Sequence, residues 1–169
     1  TIDNQFDPSV AALAGGGFVV TWTSTNQEGL GYGVYGQRFD AKGIKADAEF
    51  PVNTFTDGAQ HQTSVTALAD GGFVATWNSG NHQDGSFEGI FGKRFDSSGN
   101  AVVPAGNTAG GEFRVNTFTN DVQYDPSVTA LAGGGFVATW TSLGQDGSFS
   151  GVFGKRFDIN NGGLRFDGT

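Results

Sequence analysis

Three acids recur directly ahead of a glycine, as Glu28-Gly29, Asp84-Gly85 and Asp146-Gly147. A carboxylate in a Gly-rich loop with carbonyls close by can ligate Ca²⁺, a hard cation that takes about six to eight oxygens. Glu28, Asp84 and Asp146 are therefore the candidate metal ligands. One carboxylate per loop leaves most of that shell to Asn, Gln or water, so turn formation and sugar binding stay open beside calcium. A second recurring set is Arg38 with Asp40, Arg94 with Asp96, and Arg156 with Asp158. At i, i+2 on a strand each pair shares a face. The carboxylate either pairs with the arginine or captures the amides of the next loop, with ion or sugar binding as the alternative. His61 and His82 have no metal-ligand partners at any recognised spacing, and His82 reads as a solvated loop residue. Gly31 to Gly36 fits G-x-G-x-x-G, but a strand rather than a helix follows it, so it is no dinucleotide fingerprint. There is no G-x-S-x-G elbow, and no catalytic residue is nominated.

These residues recur because the chain is built from repeats. Ser9 to Trp22 returns as Ser64 to Trp77 and as Ser127 to Trp140. A second block, Gly33 to Asp40, returns as Gly89 to Asp96 and Gly151 to Asp158, and a third, Glu49 to Thr56, as Glu112 to Thr119. The units are expected at 1–57, 58–120 and 121–169, with a Gly/Ala/Asn-rich insert around Pro104 to Gly110. Within a unit the pattern predicts four strands, near Pro8–Leu13, Gly17–Ser24, Gly31–Asp40 and Glu49–Thr54. Leu164 to Phe166 is a shorter candidate for the last strand of the third unit. Gly-rich turns separate the strands.

Composition agrees with strands. Of 169 residues 29 are Gly and 16 are Phe, and no sustained helical periodicity survives the glycines. Along the second strand Phe18, Val20 and Trp22 point one way while Val19, Thr21 and Thr23 point the other. Both faces carry apolar groups, so each sheet must lie between neighbours. The expected fold is all-β, with three tandem four-stranded antiparallel units resembling propeller blades. A closed threefold β-trefoil or β-prism is the alternative. Three blades do not close a ring, and self-association as a dimer or filament is expected. The three tryptophans read as core, with a sugar platform as the rival role.

The chain has no Cys, which excludes disulfides, thiol catalysis and Cys-based zinc sites. Its net charge of −8 argues against nucleic acid. No apolar run approaches the roughly 18–20 residues of a membrane helix, so no membrane insertion is expected. The chain opens on Thr1 without a basic, then apolar, leader, and reads as a processed product or a fragment.

The succession Gly-Gly-Phe-Val-Ala-Thr-Trp, Gln-Asp-Gly-Ser, Gly-Val-Phe-Gly-Lys-Arg-Phe-Asp and Glu-Phe-Arg-Val-Asn-Thr resembles a tandem repeat of large secreted bacterial adhesins and hemolysin-type calcium-binding, RTX-like proteins. The resemblance covers nearly the whole chain, although the RTX calcium nonapeptide is missing. It implies a secreted or cell-surface bacterial location and calcium in the surroundings. The function expected from it is a non-enzymatic module for adhesion, assembly or spacing. The alternative is a multivalent lectin with one weak glycan site per repeat.

Overall fold

A computed structural model describes residues 4–27, 31–103, 110–160 and 163–166. Among the described residues twelve strands form three antiparallel sheets of four. The first holds β1 (Gln5–Ala12), β2 (Phe18–Thr25), β3 (Tyr32–Phe39) and β4 (Phe50–Pro51) in that order. The second holds β5 (Gln60–Ala67), β6 (Phe73–Ser79), β7 (Gly89–Phe95) and β8 (Glu112–Arg114). The third holds β9 (Gln123–Ala130), β10 (Phe136–Leu143), β11 (Ser150–Asn160) and β12 (Gly163–Phe166). Each sheet is a simple meander, as the short Gly-rich turns require. The architecture is all-β and blade-like, and it does not close on itself as a trefoil or prism would.

Register repeats with sequence. Trp22, Trp77 and Trp140 face Tyr35, Phe91 and Phe153 across the central pair of strands. Phe18, Phe73 and Phe136 face Phe39, Phe95 and Phe157, and each pair stacks with ring centroids 4.7–4.8 Å apart. Such pairs add roughly 0.5–1.5 kcal/mol beyond the area they bury. The outermost strand crosses a glycine. A Cβ at Gly92 would lie 2.7 Å from Cζ of Phe113, and one at Gly36 equally close to Phe50. Only a residue without a side chain lets these rings lie flat on the third strand.

The core sits between sheets. Val19, Val34 and Val52 of the first sheet pack on Phe73, Ala75 and Trp77 of the second. Val74, Ile90 and Val115 of the second pack on Phe136, Ala138 and Trp140 of the third. Every unit thus has a tryptophan face and a valine face, and the valine face of one meets the tryptophan face of the next. The first strands line the inner edge, β1 against β5 and β5 against β9.

Two expected strands differ from the structure. The first strand of each unit starts earlier than the pattern suggested, because a bulge lets pairing resume beyond it. The last strand is shorter than the pattern suggested, two residues in the first unit and three in the second; both end at equivalent positions, Pro51 and Arg114, and the second gains its extra residue at Glu112, which pairs with Lys93.

Candidate functional site

The loop acids take a turn role. Asp84 Oδ1 accepts the Ser86 amide at 3.1 Å, and Asp146 Oδ1 accepts the Ser148 amide at 3.0 Å. Asp84 Oδ2 accepts from Asn116 Nδ2 at 3.1 Å. Both carboxylates lie back over the first glycine of the following strand: a Cβ at Gly89 would stand 2.5 Å from Asp84 Oδ2, and one at Gly151 3.0 Å from Asp146 Oδ2. Glu28 lies outside the described residues. Among the described residues no three His, Asp or Glu side chains gather as metal ligands, and Asp84 and Asp146 belong to separate loops.

The Arg–Asp pairs also resolve. Asp40 Oδ1 accepts the amides of Lys42 and Ile44, and Asp96 Oδ1 those of Ser98 and Asn100. The Asn100 amide chiefly holds the Asp96 carboxyl below the usual carboxylate range. The Asn100 side chain, the Ser98 amide and the charge of Arg38 reinforce it against slight desolvation. Arg38 pairs instead with Asp47 at 3.0 Å and Arg94 with Asp70, while Arg156 bonds Asp158 within its own strand at 2.8 Å. The carboxylate therefore tethers the following turn in the first two units and pairs with arginine in the third.

A cleft of about 530 Å³ opens between the second and third sheets. Gln83, Asp84, Phe91, Arg114, Asn116 and Lys155 line it. Asn116 is fixed from several sides: it accepts the Ile90 amide at 2.8 Å and donates to Phe118 O and to Gln123 Oε1 at 2.8 Å. Burial, with the like charge of Arg114 nearby, draws the Lys155 ammonium below the usual lysine range. The cleft can offer the cations of Arg114 and Lys155 to a polar ligand.

A second cleft, of about 260 Å³, lies on the inner edge where the three first strands converge. Its lining is Asp7, Pro8, Gln62, Thr63, Asp125 and Pro126. Asp7, Gln62 and Asp125 occupy equivalent places in the three units, each at the bulge of its strand. All three are left-handed, with φ of 50°, 56° and 52°. A left-handed non-glycine costs on the order of 1 kcal/mol or more and collects at functional sites. Gln62 Nε2 donates to Asp125 Oδ1 at 2.6 Å, so the middle unit orients the carboxylate of the third. Two carboxylates with an amide between them face one cleft. Gln60 pairs with Ser79, from which the loop bearing Asp84 departs, so both clefts lie at the same end of the strands.

Motif reasoning missed this inner cleft. Its signal is modest but present: Asp-Pro, Gln-Thr and Asp-Pro stand immediately before Ser9-Val10, Ser64-Val65 and Ser127-Val128. A residue that changes type at a fixed place in near-identical repeats marks where the units cease to be interchangeable.

No protein-family model matches the sequence, and no curated protein matches it. In fold it is similar to solved structures. One is an endo-arabinase from Bacteroides thetaiotaomicron VPI-5482, at TM-score 0.56 and 14% identity, over 94% of this chain and 58% of that one. An endo-1,4-beta-xylanase from the same organism gives TM-score 0.59 and 10% identity, over 100% of this chain and 60% of that one. A xylan beta-1,4-xylosidase from Bacillus halodurans C-125 gives 0.53 and 11%, over 96% of this chain and 33% of that one. The chain thus spans about three-fifths of the arabinase and xylanase it matches.

These neighbours correct the sequence-based expectations. The fold is similar to that of bacterial carbohydrate-active enzymes rather than to adhesin or RTX-like repeats. The non-enzymatic module for adhesion, assembly or spacing, and its multivalent-lectin alternative, lose their basis with that resemblance. A catalytic site needs asymmetry, which near-identical units do not by themselves supply. Asp7, Gln62 and Asp125 supply that asymmetry on an otherwise repeated frame.

Proposed function

We propose that the chain acts on a polysaccharide of the arabinan or xylan kind, seating a sugar unit in the inner cleft between Asp7 and Asp125. The observation that carries this reading is the convergence of two carboxylates on left-handed bulges of equivalent strands, with Gln62 holding one of them. Glycoside cleavage uses two such groups. One carboxyl gives a proton to the leaving oxygen. The other attacks the anomeric carbon or activates a water on the opposite face. Asp125, oriented by Gln62, is assigned the second role and Asp7 the first. The larger cleft at the same end, with Arg114 and Lys155 in its lining, receives a further unit of the polymer through contacts from these cations to its hydroxyls. A polymeric glycan does not cross a membrane, so a secreted or surface location belongs to the same proposal.

The test is release of reducing ends from arabinan and xylan by the purified chain. Asp7→Asn and Asp125→Asn should each lower the rate by about 10²–10⁴-fold, the usual worth of a positioned acid or base. Asp146→Asn, in a turn that lines neither cleft, should stay within a few-fold. Absence of both sugar release and oligosaccharide binding by the folded chain overturns the proposal.

A further inference from the structure

The two ends of the stack are halves of the same joint. Val34, Ile90 and Val152 are equivalent residues on the valine faces of the three units. The first two are 0% exposed, and Val152 is 81% exposed. At the opposite end Val10, Val65 and Val128 are equivalent on the tryptophan faces. Val65 and Val128 are 6% and 8% exposed, and Val10 is 65% exposed. What buries the covered copies is the neighbouring unit of this same chain.

The polar contacts repeat in step. Ser9 Oγ accepts the Val65 amide at 3.1 Å, and Ser64 Oγ accepts the Val128 amide at 3.1 Å. Ser127 is the next hydroxyl of this series and is exposed. Val10 is the amide-bearing residue that would precede it. A surface carrying Ser127 and Val152 is thus left at one end, and one carrying Val10 and Trp22 at the other. Each is the mate that the other type of surface takes twice within the chain.

We propose that these surfaces join between two copies of this chain, the valine face of one third unit receiving the tryptophan face of the partner's first unit, twice over, to close a ring of six blades. The occupant is argued from the chain's own joints: the same sequence positions, the same serine-to-amide bond and the same apolar faces. Six lies within the range of about four to eight blades found in closed propellers. Contacts between unlike faces close only if the rotation returns to the start, which two copies achieve when each spans half a turn. Closure also brings the second copy's Asp7, Gln62 and Asp125 to the same axis. The proposal stands independently of any glycan.

The mass of the chain in solution tests it, by light scattering at micromolar concentration. The expected species has about twice the 17.6 kDa of one chain. Val10→Asp and Val152→Asp alter residues exposed in the single chain, so each should give a folded species of half that mass with its β circular dichroism retained. The chain lacks Cys, which allows a clean pairing check. A Ser127→Cys chain mixed with a Val10→Cys chain should cross-link to each other, and neither variant alone should do so. A folded wild-type monomer overturns the proposal. A ladder of trimers and longer species overturns the closed ring in favour of an open filament. Cross-linking of Ser127→Cys to itself overturns the pairing of unlike faces.

Discussion

Trp77 and Trp140 are buried while Trp22 is only half-buried, although all three stand at one repeat position. Among the described residues no sheet packs on the tryptophan face of the first unit, whereas Trp77 lies against Val19, Val34 and Val52. Trp77 Nε1 also donates to the buried Gln60 Oε1 at 3.0 Å. Trp77→Ala should therefore cost about 3–5 kcal/mol, as large buried aromatics do. Trp22→Ala should cost clearly less, and urea unfolding of the two variants checks the order. The loop acids make a different prediction. Asp84→Ala and Asp146→Ala each remove a carboxylate-to-amide bond of their turn and should lose about 1 kcal/mol. Calcium on these loops is a proposal that adds a separate signature, a melting temperature lowered by chelator and restored by Ca²⁺. An equal melting temperature with and without chelator removes it.

The four strands of a unit were legible because both faces of the second strand are apolar and Gly-rich turns bracket it. The bulges were not legible. A bulge depends on where pairing resumes across two strands, and no single-strand alternation encodes that. Asp-Pro also reads as a simple break, since proline disfavours helix in the residue before it. The inner cleft was hidden for the same reason, because it exists only once three bulges are brought together. The packing of the fourth strand explains a glycine that sequence alone leaves unassigned. Gly92→Ala would place a methyl carbon 2.7 Å from the Phe113 ring. Phe113 is itself buried against Phe136 and Phe157. The substitution should cost about 1–3 kcal/mol, the usual range for overpacking. Thermal melts should show the loss, and Gly92→Ala combined with Phe113→Leu should recover part of it.

At the scale of the whole molecule, repeat symmetry settles the fold and departures from it point to function. The three sheets share register, stacked phenylalanines and inter-sheet joints, and these were readable as repeated blocks. Asp7, Gln62 and Asp125 differ on the same strained backbone, and the two outer faces differ from the inner ones only in being uncovered. Asp-Pro in the outer units and Gln-Thr in the middle one mark an inner place where otherwise similar strands diverge. The central claim is that a sugar sits between Asp7 and Asp125. It is tested most directly by the crystal structure of the Asp125→Asn chain with a xylo- or arabino-oligosaccharide. The account predicts a sugar ring in the inner cleft, its glycosidic oxygen within hydrogen-bonding distance of Asp7 and its anomeric carbon facing residue 125. An oligosaccharide bound elsewhere on the chain, with the inner cleft holding only water, would contradict it.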